Sequence, residues 1–260
     1  MRIRHIAYGI LLCAALSASR PAASFGQSEE KTSEKTSAES GRKTRVFLAL
    51  FGGPQHYAMT DINDAIERDN QTFAGSGFTA KKITGGTGFG TGIRVWPSNK
   101  LCLLFDYNRL PASASSSALV GTTPVVESVS APANALMATV GYFRSWKKVH
   151  YGVGGGAGYY ICSGDVDARF GSTIIKYDLH GKGLGGHALA MADIAASRGL
   201  HFELALGYRS AKSGNLKSSG TTITFEDGSH IRADWSGLTT RFGFSIPFDH
   251  GPYPAHSGEN

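Results

Sequence analysis

The chain has 260 residues, of which 26 are basic and 20 acidic, for a formal net charge of +6. The first 26 residues contain three arginines and no acid, so the rest of the chain has 23 basic and 20 acidic residues, or +3. A charge this close to neutral argues against binding to nucleic acid through a basic surface. Glycine is abundant, at 34 residues, but lacks the three-residue period of collagen.

Residues 1–26 have the pattern of a secretory signal peptide. Arg2 and Arg4 supply a positive start, residues 6–18 are apolar, and the small residues of AASFG precede a cleavage site that we place after Gly26. The apolar stretch is too short to span a bilayer as a helix. Residues 27–44 repeat EKTS and are predicted to be a disordered linker, because they contain too few apolar side chains to form a core.

Residues 45–248 form one predicted domain, which is followed by a polar C-terminal tail at 249–260. Tight turns and long polar loops alternate strictly along this domain, and this alternation is typical of an outer-membrane barrel with one periplasmic and one extracellular rim. The prediction is therefore an all-β fold, an eight-stranded antiparallel transmembrane up-and-down β-barrel. The predicted turns are 97–99, 147–148 and 197–199, and the predicted loops are about 53–83, 111–134, 163–183 and 210–236.

Alternate side chains in seven of the eight predicted strands divide into an apolar and a polar face. In residues 200–209, for example, Leu204 and Leu206 share one face, whereas Glu203 and Arg209 share the other. The polar faces also collect glycines, which have a use inside a narrow lumen but none on a water-exposed surface. Lipid outside and charge inside is therefore favoured over a soluble lipocalin-like barrel, which stays an alternative. Residues 45–53 are apolar on both faces, so their facing is undecided.

The tight turns predict strand registers. A two-residue turn at Lys147–Lys148 places Ser145 opposite His150, which keeps the parity of both strands. A three-residue loop at 197–199 places Asp193 opposite Glu203, whereas a two-residue turn there would set apolar against charged side chains.

The first long loop contains a predicted helix within residues 57–70. We expect Thr60 to cap its N-terminus and Ile62 and Ile66 to belong to its apolar face. A calcium loop beginning at Asp61 is excluded, because the segment lacks the glycine that the twelve-residue pattern requires.

The charged residues predicted to face the lumen are the best candidates for a functional site. Two carboxylates, Asp193 and Glu203, would lie together and need neutralisation by Arg241 or a histidine. Such a group of charges can form a proton or metal site or a gate, but a salt-bridge network that fills the lumen is the favoured interpretation. The predicted lumen network consists of Arg94, Asp106, His150, Asp193, His201, Glu203 and Arg241.

No catalytic residues, metal ligands or cofactor are predicted. Ser245 has no histidine neighbour that the sequence can place, so a serine hydrolase is disfavoured. The glycine-rich segments 85–90 and 181–186 do not open a helix after a buried strand, so they do not indicate a phosphate site. Cys102 and Cys162 fall near opposite ends of the barrel and are predicted to be free thiols.

Together with the turn rhythm of residues 45–248, the segments GVGGGAGYY (152–160) and GLTTRFGFSIPF (237–248) give the chain a family resemblance. It resembles the small eight-stranded outer-membrane barrels of the OmpA, OmpX and OmpW type. That resemblance implies a cell outer-membrane location and insertion by the barrel assembly machinery, which reads a closing aromatic such as Phe248. Here the chain continues beyond that aromatic.

The expected function is non-enzymatic: a structural or surface-interaction barrel, or a narrow passage for small solutes. The expected partners are outer-membrane lipid, the assembly machinery and an unidentified small solute or surface partner, with no nucleic acid and with the barrel itself a monomer. Two alternatives stay open, an outer-membrane lipid-modifying enzyme and the soluble lipocalin-like carrier.

Overall fold

The computed structural model describes residues 44–248, apart from residues 198 and 226. The predicted signal peptide, the C-terminal tail and all of the predicted linker except its last residue lie outside the described residues. Within this described part, no helix is both long enough and apolar enough to cross a membrane.

The described residues form twelve strands and one helix. In chain order these are β1 (Arg45–His56), α1 (Thr60–Thr72), β2 (Gly85–Trp96), β3 (Leu101–Leu110), β4 (Ser113–Val120), β5 (Thr123–Ser130), β6 (Ala133–Trp146), β7 (Val149–Phe170), β8 (Thr173–Ser197), β9 (Leu200–Ala211), β10 (Lys217–Ser218), β11 (Thr221–Thr222) and β12 (Gly237–Pro247).

Eight of these strands form a closed antiparallel ring, in the order β1, β2, β3, β6, β7, β8, β9 and β12. The last strand pairs with the first, with Phe47 opposite Pro247 and Gln55 opposite Thr239. Closure gives the backbone of every barrel strand a partner on both sides. The predicted eight-stranded barrel is therefore confirmed. A ring of eight strands leaves an interior just wide enough for side chains to fill.

The two ends of the barrel differ in the length of their connections. We call the end formed by residues 97–100, 147–148 and 199 the turn rim, and the opposite end the loop rim. At the turn rim, the predicted pairing of Ser145 with His150 is confirmed.

The pairing of Asp193 with Glu203 is also confirmed, but the three-residue loop that we expected to produce it is wrong. β8 continues to Ser197, which pairs with Leu200, and a register shift between Ala195 and Ser197 restores the parity. A β-bulge in β8 therefore produces the register that the three-residue loop was expected to produce.

The predicted facing of the strands is confirmed by burial. In β9, Phe202, Leu204 and Leu206 are exposed on the outer face, whereas His201 and Arg209 are buried in the lumen. The same division into an apolar outer face and a polar inner face holds for the other strands whose facing the alternation predicted.

Strand β1, whose facing the sequence left undecided, turns Phe47, Ala49 and Phe51 into the lumen. Phe51 fits there because its neighbours across both strand pairs are glycines. A Cβ atom on Gly90 or on Gly243 would lie 2.7 Å from an atom of the Phe51 side chain. The two glycines therefore make the space that this inward-facing ring occupies.

The long connections at the loop rim fold into a second layer of structure. The prediction of a loop at 163–183 is wrong, because β7 and β8 run on as a hairpin as far as Phe170 and Thr173. The segment 111–134 contains the hairpin of β4 and β5, and β5 pairs with the extension of β7. We call this layer the platform: α1, β4, β5, β10, β11, residues 163–180, and the described residues of 223–236.

Helix α1 confirms the predicted helix and its apolar face, since Ile62 and Ile66 are buried. The prediction that Thr60 caps the helix is wrong. Met59 occupies the N-cap position in a left-handed conformation, and no side chain caps the first turn. Instead, Met59 accepts a backbone hydrogen bond from Asn63 within the helix and donates one to Asp234. The helix start is therefore set by a contact between distant loops.

Candidate functional site

Three buried charged side chains, Arg94, Asp106 and Arg241, form one network in the lumen with the partly buried Glu203. Arg94 donates to both oxygens of Glu203, from Nε at 3.2 Å and from Nη2 at 3.1 Å, and its Nη1 donates to Asp106. Arg241 Nη1 donates to the other oxygen of Asp106 at 2.8 Å. Two guanidinium groups and two carboxylates balance each other, which is the condition for burying charge without a large penalty.

The network differs from the predicted arrangement in the partner of Arg241. We expected Arg241 or a histidine to neutralise Asp193 and Glu203. A histidine, His201, does pair with Asp193, whereas Arg241 pairs with Asp106. On β12, Arg241 lies opposite Ala205, two residues along β9 from Glu203. Arg94 of β2 reaches across the lumen and pairs with Glu203 in place of Arg241.

The remaining predicted residues lie closer to the turn rim. Asp193 Oδ1 accepts a hydrogen bond from His201 Nδ1 at 2.6 Å. His150 lies opposite Asp193 in the β7–β8 register, and its Nδ1 is 2.9 Å from Ser145 Oγ. The structure thus brings the seven predicted residues into one lumen, as a four-residue network, a His–Asp pair and a histidine at the rim.

The expectation that Ser245 has no histidine neighbour is wrong. Ser245 lies opposite His201 in the β9–β12 register, so Ser245, His201 and Asp193 share the lumen face. Among the described residues, however, His201 Nε2 has no hydrogen-bond partner, so it does not activate Ser245. Ser245 and His201 are also only 1% and 5% exposed. A lipid substrate has no route to these buried groups.

The lumen is filled on both sides of the charged network. On the side of the turn rim, Phe47, Trp96, Leu104 and Phe143 form an apolar cluster. A cavity of about 30 Å³ lies next to it, which is room for one or two water molecules.

Toward the loop rim the filling includes polar residues that the predicted network did not include. Thr139 Oγ1 lies 2.6 Å from His187 Nε2. Arg209 donates to the backbone oxygen of Trp235 at 2.9 Å and to Gln55 Oε1 at 3.1 Å. Arg209 and His187 lie on the polar faces that strand parity had identified, whereas Trp235 comes from a loop.

Trp235 closes the lumen at the loop rim. Its side chain is fully buried and stacks on Tyr160, with the ring centroids 6.1 Å apart. Its indole Nε1 donates to the backbone oxygen of Ala131 at 2.9 Å, which joins the fourth long connection to the second.

The two cysteines of the described residues are free, as predicted, and both are buried. Cys102 packs in the apolar cluster near the turn rim, whereas Cys162 belongs to the core of the platform. The predicted distribution of the thiols between the two ends of the barrel is therefore confirmed.

The platform has its own apolar core. One cluster joins Ile62 and Ile66 of α1 to Val125 and Val129 of β5 and to Trp235. Side chains of α1 also bind the segment that leads from α1 to β2. Asn63 Oδ1 accepts a hydrogen bond from the backbone N–H of Ile83, and Asn70 Oδ1 accepts one from the backbone N–H of Ala80. The loops are therefore packed against one another.

A cleft of about 800 Å³ opens in the platform, between α1, the sheet of β5, β7 and β8, and the β10–β11 hairpin. Its walls are mostly apolar, but three carboxylates line it as well: Asp69 of α1, Glu127 of β5 and Asp178 of β8. Glu127 lies between Val125 and Val129 on the inner face of its strand, which is a core-facing position. The apolar residues that line the cleft include Ile62, Ile66, Val129, Val166, Leu216 and Ile231.

The surroundings of Asp69 and Glu127 raise the pKa values of both carboxyl groups. Partial burial raises the pKa of Asp69. Burial also raises the pKa of Glu127, and the nearby charge of Asp69 raises it further. Neither carboxylate forms an ion pair with any described residue. At neutral pH the negative charges of Asp69 and Glu127 therefore repel each other in the cleft.

This repulsion predicts a pH dependence. A carboxyl whose pKa is raised by folding stabilises the folded state below its unfolded pKa of about 4 and loses that contribution as the pH rises through the folded pKa. Glu127→Gln should therefore strengthen the platform at pH 7 more than at pH 5, by less than about 1 kcal/mol because both groups are half exposed. Hydrogen exchange of the α1 and β5 amides in the folded barrel measures the difference. Asp64→Asn, on the exposed side of α1, is the control, and an equal pH slope in Glu127→Gln and the unmodified protein would contradict the prediction.

No family model matches the sequence, and no curated protein matches it. Solved structures similar to this chain include the following two. Neisserial surface protein A (NspA) is 14% identical, with a TM-score of 0.30, and the match covers 79% of this chain and 96% of that one. The outer membrane protein OprG from Pseudomonas aeruginosa is 14% identical, with a TM-score of 0.39 and coverages of 79% and 94%.

Proposed function

We propose that this protein is a non-enzymatic outer-membrane barrel with a closed lumen, which presents the platform outside the cell as a surface-interaction module. The observation that carries the proposal is the belt of exposed apolar side chains around a buried, charged lumen. The proposal also draws on the packed structure of the long connections, which differ from the short turns of the opposite rim.

The apolar belt supports a lipid environment. Exposed large apolar side chains occur on all eight barrel strands, for example Phe89, Phe105, Val140, Val153, Leu184, Leu206 and Phe244. Leu184 is 76% exposed. Water-soluble proteins rarely expose a contiguous apolar surface of this extent. A soluble carrier of the lipocalin type would place its apolar face inside around a ligand, so that alternative is disfavoured.

Aromatic side chains at both edges of the belt support the same conclusion. Tyr142, Trp146 and Tyr151 are exposed toward the turn rim, and Tyr159 and Tyr208 toward the loop rim. Such girdles mark the two membrane interfaces of outer-membrane barrels. Tyr151 and Tyr159 are eight positions apart on β7, or roughly 26 Å along the strand. At the usual strand tilt of about 35–45° this is about 20 Å of height, which fits within the apolar band of about 25 Å.

The filled lumen favours surface interaction over the narrow passage that the sequence also allowed. A conducting barrel needs a continuous aqueous path, whereas the apolar cluster near the turn rim, the charged network and Trp235 occupy the interior between the rims. The enzyme alternative is disfavoured because the Ser245, His201 and Asp193 side chains are buried away from the lipid-facing surface.

Labelling of single added cysteines tests the orientation. Thr122→Cys lies in the exposed turn between β4 and β5, and Asn99→Cys lies at the turn rim. An impermeant maleimide added to intact cells should label Thr122→Cys, and it should label Asn99→Cys only after the outer membrane is opened. Cys102 and Cys162 are buried and provide a low background. The reverse pattern would contradict the proposed orientation.

The same proteins, purified and inserted into planar bilayers, test the closed lumen. We expect insertion without a steady ionic conductance. A steady channel current would contradict the closed lumen and revive the passage alternative, whereas failure to insert would contradict the barrel's membrane role.

A further inference from the structure

We propose that the platform cleft binds a small amphipathic cation, an organic ammonium carried on an apolar body. The inference rests on the proposed function, since the platform must face the outside of the cell for such a ligand to reach the cleft. It names the class of molecule that the surface-interaction module would recognise.

The size and lining of the cleft suit a small organic molecule. Its volume of about 800 Å³ lies within the range of about 300–1,000 Å³ that is usual for ligand sites. The apolar part of a ligand can lie against Ile62 and Ile66 of α1 and against Val129 and Val166 of the sheet. Removal of these surfaces from water would provide the main favourable term for binding.

The charge of the cleft is complementary to a cation. Asp69, Glu127 and Asp178 line it, and the basic residue among its lining, Lys176, is already paired with Asp167 outside the cleft at 3.2 Å. Among the described residues, no cation pairs with Asp69 or Glu127. An ammonium placed between them would replace their mutual repulsion with two attractions. The ring of Tyr177, which lines the same cleft, adds a surface that attracts cations.

Other ligand classes fit the cleft less well. An anionic molecule would meet the unpaired carboxylates, and an uncharged one would leave them unneutralised. A calcium ion requires six to eight oxygen ligands, but the described residues contain no group of three or more His, Cys, Asp or Glu side chains that could hold a metal. The combination of apolar walls with the unpaired carboxylates of Asp69 and Glu127 therefore favours an amphipathic cation.

Three probes that share one apolar body separate charge from hydrophobicity: 4-phenylbutylamine, 4-phenylbutanol and 4-phenylbutyrate. Their binding is measured by calorimetry on the whole protein in lipid nanodiscs, with empty nanodiscs subtracted. The ammonium should bind, and the alcohol and the carboxylate should bind about tenfold or more weakly, since an interaction with a charged group contributes about 1.5–3 kcal/mol. Equal binding of the three probes, or binding of none, would overturn the proposal.

Variants locate the site. Glu127→Gln and Asp69→Asn should each weaken ammonium binding by about tenfold and leave the alcohol unaffected. Asp64→Asn, on the same helix but outside the cleft, should change nothing. Ala65→Trp, which takes up part of the cleft next to Ile62 and Ile66 without altering a charge, should weaken binding of the ammonium and of the alcohol alike. Unchanged binding in Ala65→Trp would show that the probe binds elsewhere, and unchanged binding in both carboxylate variants would overturn the assigned recognition.

The test separates this inference from the function on which it rests. Incorporation into nanodiscs is measured before any probe is added. A protein that inserts but does not prefer the ammonium contradicts the ligand assignment alone. A protein that does not insert contradicts the proposed membrane function itself.

Discussion

Replacing Leu204 with arginine is expected to destabilise the folded barrel in lipid by about 2–4 kcal/mol, the cost of a cation near the middle of the apolar band. Leu204 lies on the outer face of β9 between Phe202 and Leu206, and all three side chains are exposed. The charge of the new arginine would therefore face hydrocarbon. Reversible unfolding by urea in lipid vesicles measures the loss.

The matched control is the next residue along the same strand. Ala205 faces the lumen beside the small cavity, so Ala205→Ser adds one hydroxyl to a polar interior and should be nearly silent. If vesicles tolerated Leu204→Arg and rejected Ala205→Ser, the inside and outside of the barrel would be exchanged. The soluble carrier would then become the better interpretation.

Replacing Arg241 with methionine is expected to destabilise the barrel by about 3–5 kcal/mol, the usual cost of breaking a buried ion pair. Asp106, whose side chain is fully buried, would keep Arg94 as its single cation, and Arg94 would then serve two carboxylates. The same unfolding measurement in vesicles reports the effect.

A double variant distinguishes lost charge balance from lost packing. Arg241→Met combined with Asp106→Asn removes one charge of each sign and leaves the Arg94–Glu203 pair intact. It should recover much of the stability that the single variant loses. A double variant that is less stable than the single one would mean that charge balance does not govern this network.

Strand facing could be predicted from the sequence wherever the two faces differ in polarity. β1 was the exception, because Leu48 and Leu50 outside are as apolar as Phe47 and Phe51 inside. Its facing is decided by Gly90 and Gly243, which lie on other strands and leave room for one ring. A decision of this kind depends on tertiary neighbours, which no pattern within β1 reveals.

The hairpin at 163–183 was missed for a different reason. Around the tip, residues 173–178 of β8 are exposed on both faces, so no alternation appears. The strand conformation there is supported by backbone pairing with β7, which in turn pairs with β5. Pairing with distant strands can override a weak local preference.

The candidate sites were predictable to different degrees. Parity identified the lumen charges, but it could not assign Asp106 to two arginines, because β2 and β12 bring those side chains together across the barrel. The cleft was not predicted, since α1, β5, β7 and β8 assemble it from separate parts of the chain. The sequence did contain one usable signal, Glu127 between Val125 and Val129 in an alternating strand.

The continuous ladder of β7 and β8 limits how this surface can change during evolution. Each residue from Val149 to Phe170 pairs in register with one from Ile194 to Thr173, from the turn rim to the tip of the platform. Inserting a single residue into either strand would turn every later side chain to the opposite face, except where a β-bulge takes up the extra residue, as one does between Ala195 and Ser197 of β8. We therefore expect insertions and deletions mainly at the tip, residues 171–172. Substitutions are expected wherever the side chain faces water. Under selection for a changed surface, this hairpin can therefore accept substitutions more readily than insertions or deletions.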